Sequence, residues 1–196
     1  MQTEIEAKFP HIDPVAFREK LTSLGAQLEY PEILMKRKVF DYSDWRLEKV
    51  GGWVRVRDEG KKITLTYKQL NDRSLHGTKE VEVVVGNFDT TCELLSAIGL
   101  EAKAYQETKR EKWQLGNVEI TIDTWPWIPT FVELEASNEE DLRVIAEKLE
   151  LDWKEVMYGS VEVVYQMHYN FTESEIDHWD SITFIPEPDW LLAKKK

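Results

Sequence analysis

Charged side chains occur at every second position in several short segments of this sequence. Carboxylates alternate with apolar residues in segments 4–6, 80–82 and 133–135, and arginines do so in segment 55–57. Alternate residues of a β-strand share one face, so each segment would present two like charges side by side. Paired carboxylates attract hard divalent cations, which prefer oxygen ligands, while arginine and lysine hold anions with several oxygens. Together, these residues predict the binding of a metal–polyphosphate.

The distribution of the two signs among the strands indicates where the charges lie. Any single segment fits an ordinary antiparallel strand with one face in water. Strands on an outer surface would mix the two signs, whereas here each charged face carries mainly one sign. This sorting favours the interior of a barrel, in which opposite walls hold opposite charges. Because an uncompensated buried ion loses several kcal/mol of hydration, such an interior must be hydrophilic and must hold ions.

Strands must therefore position most of these residues. The alternation continues in segments 63–68 and 117–125, and turn signals such as Gly51-Gly52, Asp58-Glu59-Gly60 and Gly116-Asn117 separate the strands. This pattern predicts an antiparallel meander. Each half of the chain offers a Glu-rich strand followed by a helix, which is consistent with a sheet that closes on itself.

Four helices are predicted between or after the strands. Start and stop signals place them at about 13–24, 89–98 and 138–150, and apolar spacing places a fourth at 160–169. The predicted fold class is therefore α+β and mainly antiparallel β, with a closed barrel and helices packed outside it.

Length and composition bound the remaining possibilities. The 196 residues suit a barrel domain over residues 1–170 and a C-terminal extension over 171–196 that is either packed or loosely ordered. Cys92 is the only cysteine, which excludes an internal disulfide and fits a reducing cytosol. The net charge of −12 argues against a general nucleic-acid binder. Without a long apolar run, we expect no signal peptide and no membrane span, hence a cytoplasmic protein, with a homodimer as one option.

The charged segments and the single residues between them form an ordered series that resembles a known family. The series is Glu4-x-Glu6-x-Lys8, Arg55-x-Arg57, Lys68, Glu80-x-Glu82, Arg110, Asp123 and Glu133-x-Glu135. It is similar to the motif series of the CYTH family, also called triphosphate tunnel metalloenzymes. Each motif alone is short, and the specificity lies in the order of the whole series. The resemblance covers residues 2–136 and the helix at 138–150. It implies an eight-stranded antiparallel barrel around a hydrophilic tunnel that holds Mg²⁺ or Mn²⁺ and a small-molecule triphosphate.

The resemblance also implies roles for the matching residues. Metal ligands would be Glu4, Glu6, Glu133 and Glu135, and the acidic walls would be completed by Asp123, Glu80 and Glu82, through metal-bound water. Catalytic binding of the triphosphate would fall to Lys8, Arg55, Arg57, Lys68 and Arg110, which would neutralise charge that develops in the transition state. One metal ion would polarise the phosphoryl oxygens and a second would orient the attacking group, so no nucleophilic side chain is required.

The sequence departs from the family pattern at two places. Family members often carry Lys-x-Arg on the strand corresponding to 105–113, but residue 108 is Thr, and Lys109 would face the opposite side. One phosphate contact is therefore missing, and Lys112, on the face of Arg110, is the candidate to supply it. The second departure is the basic run at 36–38, whose three side chains cannot all face inward, so part of it is expected to be solvated.

The cationic residues alone cannot distinguish the activities that the family includes. A metal-dependent triphosphatase acting on inorganic tripolyphosphate, thiamine triphosphate or a nucleoside triphosphate ranks first. A class IV adenylate cyclase, which converts ATP to cyclic AMP and pyrophosphate, ranks second, and a non-catalytic polyphosphate- or nucleotide-binding module third.

Aromatic residues bear on the choice of substrate. Trp53 shares the predicted face of Arg55 and Arg57, where its indole could stack on an organic group of the substrate. Trp125 and Trp127 have two options, which are stacking on such a group or closing the barrel end against the C-terminal tail.

Overall fold

An antiparallel sheet that curls into a nearly closed barrel makes up most of the fold. The computed structural model describes all residues, Met1–Lys196. The strands are β1 (Gln2–Thr3), β2 (Ile5–Phe9), β3 (Gln27–Asp41), β4 (Gly52–Asp58), β5 (Ile63–Leu70), β6 (Thr78–Val85), β7 (Glu101–Leu115), β8 (Val118–Thr124), β9 (Phe131–Ala136) and β10 (Ser181–Ile182). All pairings are antiparallel except that of β10 with β7. The predicted α+β class, with a mainly antiparallel barrel and helices outside, is confirmed.

The barrel closes through the first segment of the chain. The strand order is β1-β6-β5-β4-β3-β7-β8-β9-β2, so β1 pairs with β6 while β2 pairs with β9. Glu4 alone separates β1 from β2, and its backbone N–H donates to the carbonyl of Thr78, 3.0 Å away. One continuous segment therefore meets both edges of the sheet. The path contains nine strands rather than the eight predicted, a minor difference that disappears when β1 and β2 are counted as one.

Six α-helices follow or interrupt the strands. They are α1 (Pro14–Ser23), α2 (Phe88–Ala97), α3 (Glu139–Lys148), α4 (Glu162–His168), α5 (Glu173–Asp177) and α6 (Asp189–Leu192), with 3-10 turns at Glu48–Val50 and Trp153–Glu155. The first three begin at side chains that cap them: Asp13, Asn87 and Asn138 each accept a hydrogen bond from a backbone N–H of the first turn. All four predicted helices are present, and the short α5 and α6 were not predicted.

The main hydrophobic core lies on the outer face of the barrel. Ala7 of β2, Ile120 of β8 and Leu134 of β9 are fully buried and belong to one cluster with Leu21 of α1 and Leu142 of α3. Because side chains alternate along a strand, burying these residues outside the barrel turns the residues between them toward its interior. The core thus occupies the space between barrel and helices, and the barrel interior is left to polar side chains.

The C-terminal region packs against the barrel. Tyr165 of α4, Ile182 of β10 and Leu191 of α6 are buried in a second apolar cluster together with Trp125, which follows β8. Residues 171–196 are packed in this structure, whereas the division of the chain at residue 170 remains a prediction. None of the helices combines the length and the apolar character that crossing a membrane would require.

Candidate functional site

A cavity of about 870 Å³ lies inside the barrel. Its walls include every residue of the predicted site except Asp123. These residues are Glu4, Glu6, Lys8, Trp53, Arg55, Arg57, Lys68, Glu80, Glu82, Arg110, Lys112, Glu133 and Glu135. They come from strands β2, β4, β5, β6, β7 and β9 and from the junction of β1 and β2. Closure of the barrel, rather than any single loop, therefore brings them together.

Three glutamates lie side by side on neighbouring strands of the cavity wall. In the strand register, Glu6 of β2 is opposite Glu135 of β9, and Glu135 is opposite Glu119 of β8. Glu6, Glu119 and Glu135 are called the carboxylate row below. Glu119 was not among the predicted site residues, although it alternates with Thr121 and Asp123 on a predicted strand, and this spacing was the available signal.

Glu135 carries the least compensated charge of the carboxylate row. Its side chain is solvent-exposed, lines the cavity and, unlike Glu6 and Glu119, forms no ion pair with a lysine or arginine. Partial desolvation raises the pKa of Glu135 to about 7, and the nearby carboxylates of Glu119, Glu4 and Glu6 contribute to the increase. A divalent cation would relieve this repulsion, and the all-oxygen donor set suits Mg²⁺ or Mn²⁺.

The carboxylates do not form a preassembled metal centre. No group of three or more His, Cys, Asp or Glu side chains lies close enough together to hold a metal ion. Most of the interior carboxylates instead accept hydrogen bonds from basic side chains. The residues fit a divalent cation by their chemistry, but several carboxylates would have to exchange an ammonium or guanidinium partner for the ion.

Lys8 lies between two of these carboxylates. Its Nζ is 3.0 Å from Oε1 of Glu6 and 3.1 Å from Oε1 of Glu133, and the residue is only 3 % exposed. Burial acts to lower the pKa of Lys8, but Glu133 and Glu6 outweigh it and raise the pKa above its ordinary value. Burial likewise acts to raise the pKa of Glu133, yet Lys8 and Arg110 hold it well below its usual range. Both groups therefore stay charged at neutral pH.

Asp123 lies behind Arg110 and outside the cavity lining. Its fully buried carboxylate accepts hydrogen bonds from Nε of Arg110 at 2.6 Å, from Nη2 of Arg110 at 2.9 Å and from the hydroxyl of Thr121 at 2.6 Å. Nη2 of Arg110 also donates to Glu133 at 2.6 Å. Asp123 thus orients Arg110 toward the cavity, and its part in metal binding stays a prediction.

Lys68 joins the first segment of the chain to the β5–β6 wall. Its Nζ donates to both carboxylate oxygens of Glu4 at 2.7 Å and lies 3.4 Å from Glu80. Burial raises the pKa of Glu4, and the ammonium of Lys68 opposes that increase. The contact ties the Glu4 position, where β1 passes into β2, to the strands that carry the basic residues.

The two arginines of β4 are held differently. Nε of Arg57 donates to Glu59 at 2.8 Å, so its charge is directly paired. Arg55 is 7 % exposed, and its nearest carboxylate is Glu82, 3.7 Å from Nη2. Burial and the neighbouring Arg57 lower the pKa of Arg55 to about 10, and its buried Nε has no hydrogen-bond partner. A buried donor without an acceptor is rare in proteins, and Arg55, which carries it, lines a cavity that could hold an anion.

Arg37 is an interior cation that the sequence did not single out. It is buried in the cavity wall, whereas Lys36 is exposed and Lys38 is half-buried. The basic run is therefore partly solvated, as predicted. Alternation along β3 places Arg37 on one face with Val39, which also lines the cavity, but nothing in the sequence states which face of this strand is inside.

Trp53 lies at the end of the cavity where β4 begins. It is opposite Lys68 in the strand register and is half-buried. Residues of α4 and α5 line the same cavity, and Nε2 of His178, just after α5, is 3.3 Å from Glu48 in the turn before β4. The C-terminal region therefore forms part of the wall at the Trp53 end.

The other two tryptophans named above pack against protein. Trp127 lies 6.4 Å, centroid to centroid, from both Trp179 and Trp190, and its Nε1 donates to the carbonyl of Ile185 at 2.9 Å. Trp125 is buried, with its ring 6.4 Å from that of Tyr165, and it also lines the cavity next to Arg37. Trp127 therefore closes the barrel end against the C-terminal tail. Of the two roles predicted for it, this is the structural one rather than stacking on the substrate.

A second group of carboxylates lies where α4 and α5 meet the cavity. Oε2 of Glu162 is buried without a hydrogen-bond partner. Burial raises the pKa of Glu162 to about 8, and the nearby Asp177 adds to the increase. The pKa of Asp177 is raised to about 6 by burial, Glu173 and Glu48. At neutral pH the folded state thus favours a proton on this pair.

We expect Glu162→Gln to flatten the pH dependence of stability. Because the folded-state pKa lies above the ordinary value of 4.5, the free energy of unfolding of the wild type should fall as the pH rises from about 4.5 to about 8. The variant should match the wild type near pH 5 and exceed it at pH 9 by about 1 kcal/mol or more, which corresponds to several degrees in Tm. Thermal unfolding at pH 5, 7 and 9 measures this.

Glu147→Gln, an exposed carboxylate of α3, is the control and should leave the profile unchanged. Parallel pH profiles for the wild type and Glu162→Gln would show that Glu162 ionises normally in the folded protein.

Comparisons with known protein families and solved structures agree with the barrel fold described above. The family model for the CYTH domain matches residues 2–164. Comparison with curated proteins gives no match. Among solved structures, the PH1012 protein from Pyrococcus horikoshii OT3 is 22 % identical with a TM-score of 0.67, covering 82 % of this chain and 98 % of that one.

Two further structures share the fold at lower identity. A candidate adenylate cyclase from Vibrio parahaemolyticus is 15 % identical with a TM-score of 0.72, covering 84 % of this chain and 98 % of that one. HpAC1 from Hippeastrum, a candidate adenylyl cyclase described as having a dominant triphosphatase activity, is 16 % identical with a TM-score of 0.59, covering 85 % and 96 %. At these identities the structures support the fold alone, while the family model, which spans most of the sequence, establishes that the chain belongs to the CYTH family.

Proposed function

We propose that this protein is a divalent-metal-dependent triphosphatase, a phosphoric anhydride hydrolase that acts on a triphosphate inside the barrel. The observation that carries the proposal is the composition of the cavity wall, where the carboxylate row is combined with the buried guanidinium of Arg55, whose Nε has no partner. A cation suits the first and a phosphate suits the second. The reported activity of HpAC1 supports the choice of hydrolysis.

The carboxylates are assigned to the metal. Mg²⁺ or Mn²⁺ would be held by Glu6 and Glu135 with Glu4 and Glu133, and the outer carboxylates would be Glu80, Glu82 and Asp123. When bound, the ion supplies positive charge that polarises the phosphoryl oxygens. Glu119 extends the predicted set, since its place in the carboxylate row puts it next to Glu135.

The basic residues are assigned to the triphosphate. Arg55 and Arg57 lie on one strand with alternate spacing, so both guanidinium groups reach the same stretch of the cavity. Lys8, Lys68 and Arg110 contact carboxylates of the proposed metal site, so binding of the cation by those carboxylates would release the three basic groups to the triphosphate. Cations carried by the rigid barrel wall then stabilise the negative charge of the transition state. Water, rather than a side chain, would be the attacking group.

A class IV adenylate cyclase is the second candidate. The candidate cyclase from Vibrio parahaemolyticus has the same fold, and the cationic residues would serve this reaction equally well. The two reactions differ in the attacking group, which is water in the hydrolase and the ribose hydroxyl of ATP in the cyclase. A non-catalytic polyphosphate- or nucleotide-binding module would need the same cations and shows no turnover.

A panel of substrates separates the three functions. Inorganic tripolyphosphate, thiamine triphosphate, ATP and GTP are incubated with Mg²⁺ or with Mn²⁺, and phosphate, pyrophosphate and cyclic AMP are quantified. We expect metal-dependent release of phosphate. Cyclic AMP with pyrophosphate from ATP would favour the cyclase, and binding without any product would favour the module.

A further inference from the structure

Arg37 differs from the other basic side chains of the cavity. Every other lysine or arginine in the cavity wall forms an ion pair with a carboxylate. Arg37 forms none, although it is only 6 % exposed. A buried charge is normally paired, because its lost hydration costs several kcal/mol without a partner. The anion that would pair with Arg37 is thus not supplied by the chain.

The charges nearest to Arg37 are mostly of its own sign. Arg57 is its direct neighbour in the register of β3 and β4. Burial, followed by the charges of Arg55, Arg57 and Arg110, lowers the pKa of Arg37 well below its ordinary value, and Asp123 opposes this effect. Like charges directly opposite one another on two strands are unfavourable. An anion between these guanidinium groups would reverse the sign of the interaction.

The contacts of Arg37 hold its guanidinium in place and leave a donor free. Nη2 donates to the hydroxyl of Thr108 at 2.6 Å, and the guanidinium carbon lies 4.7 Å from the centroid of the Trp125 ring. The buried Nε has no hydrogen-bond partner. A ring beneath the guanidinium and one hydrogen bond fix its plane, so the free Nε has a defined direction.

Thr108 is the residue at which the sequence departs from the Lys-x-Arg pattern. The guanidinium of Arg37 therefore lies against the side chain that replaces the missing lysine. Lys112, the substitute predicted from the sequence, has its Nζ 2.6 Å from Glu119 and 3.2 Å from Glu29. Its charge is already balanced by two carboxylates, whereas the charge of Arg37 is not.

We propose that Arg37 binds a phosphate group of the triphosphate and takes the place of the lysine that is absent at residue 108. The proposal rests on the proposed function, since it assigns one more contact in the same cavity. A guanidinium carries several N–H donors in a fixed plane and can donate to two oxygens of one phosphate, a geometry that a lysine cannot reproduce. The phosphate would also compensate the cluster formed by Arg37, Arg55 and Arg57.

The test measures tripolyphosphate binding by calorimetry without metal, and its hydrolysis with Mg²⁺, in Arg37→Met. We expect Kd and KM to rise by about ten-fold or more, because charge-assisted hydrogen bonds are lost. We also expect the Tm of the free protein to stay the same or rise, because an unpaired buried cation is removed. Lys36→Met changes the exposed neighbour on β3 and should behave as the wild type.

The outcomes distinguish this proposal from the proposed function. If the wild type neither binds nor hydrolyses any triphosphate, the proposed function fails. If the wild type binds tripolyphosphate and Arg37→Met binds it equally well, only the role of Arg37 is overturned. Should Arg37→Met not fold, Arg37→Lys replaces it: a Kd raised by about three-fold or more supports two-donor recognition, and a wild-type Kd overturns it.

Discussion

Replacing Glu135 or Glu6 with glutamine is expected to lower kcat with any triphosphate by about 100-fold or more, while the barrel stays folded. Loss of a residue that only supports a metal ligand typically costs about 10- to 100-fold, so loss of an anionic ligand itself should cost at least as much. Both side chains belong to the carboxylate row, and glutamine keeps their size while removing the charge that binds the cation. Initial rates with saturating Mg²⁺ and with saturating Mn²⁺ measure the effect.

The two variants should differ in stability when metal is absent. The pKa of Glu135 is raised to about 7 by partial desolvation and nearby carboxylates, so its ionisation destabilises the folded protein as the pH rises from about 4.5 to about 7. Glu135→Gln should therefore have a higher Tm than the wild type at pH 8. Glu6→Gln should not, because Glu6 pairs with Lys8 at 3.0 Å and that contact is weakened.

The exposed Glu147→Gln serves again as the control and should retain full activity. Wild-type turnover in both carboxylate variants at saturating Mg²⁺ and Mn²⁺ would remove Glu6 and Glu135 from the metal site. Lost activity in a variant whose Tm shows a folded barrel places the defect in the chemistry rather than in folding.

Most of the fold could be predicted because one physical pattern recurs through the chain. Apolar residues such as Ile120 and Leu134 alternate with charged residues, and only one face of each strand can enter the outer core. The charged residues therefore share the opposite face. Their separation into acidic and basic segments then indicated a closed sheet, and the pairing of β1 with β6 and of β2 with β9 provides the closure.

The other features of the candidate site depend on strand register and on long-range packing. The alternation of apolar and charged residues along a strand does not encode either of them. Whether Arg37 or Lys36 faces inward depends on how β3 pairs with β4 and β7, and the pairing with β7 contains three irregularities. Asp123 has the correct spacing for the cavity wall, but Arg110 lies in front of it. Glu162 reaches the cavity because α4 folds back onto the barrel end, which no local signal in its own segment predicts.

The identity of the organic group of the substrate is a separate question, and Trp53 is the residue on which it depends. Alternation along β4 puts its indole on the face of Arg55 and Arg57, and its neighbour across to β5 is Lys68. Trp53 takes no part in the ring–ring contacts that tie Trp127 to Trp179 and Trp190. A triphosphate bound by the two arginines would bring the group attached to it within reach of this ring.

Trp53→Ala is expected to raise the KM for the organic triphosphate by about ten-fold or more, since stacking of a base on an aromatic side chain contributes about 1–3 kcal/mol. The KM for inorganic tripolyphosphate should change little, because that substrate has no ring to stack. Measuring both substrates with one preparation cancels general damage to the barrel. Trp127→Ala, which alters a tryptophan packed on the tail, is the matched control and should affect the two substrates equally. Equal losses on both substrates in Trp53→Ala would make its role structural and would favour tripolyphosphate as the substrate.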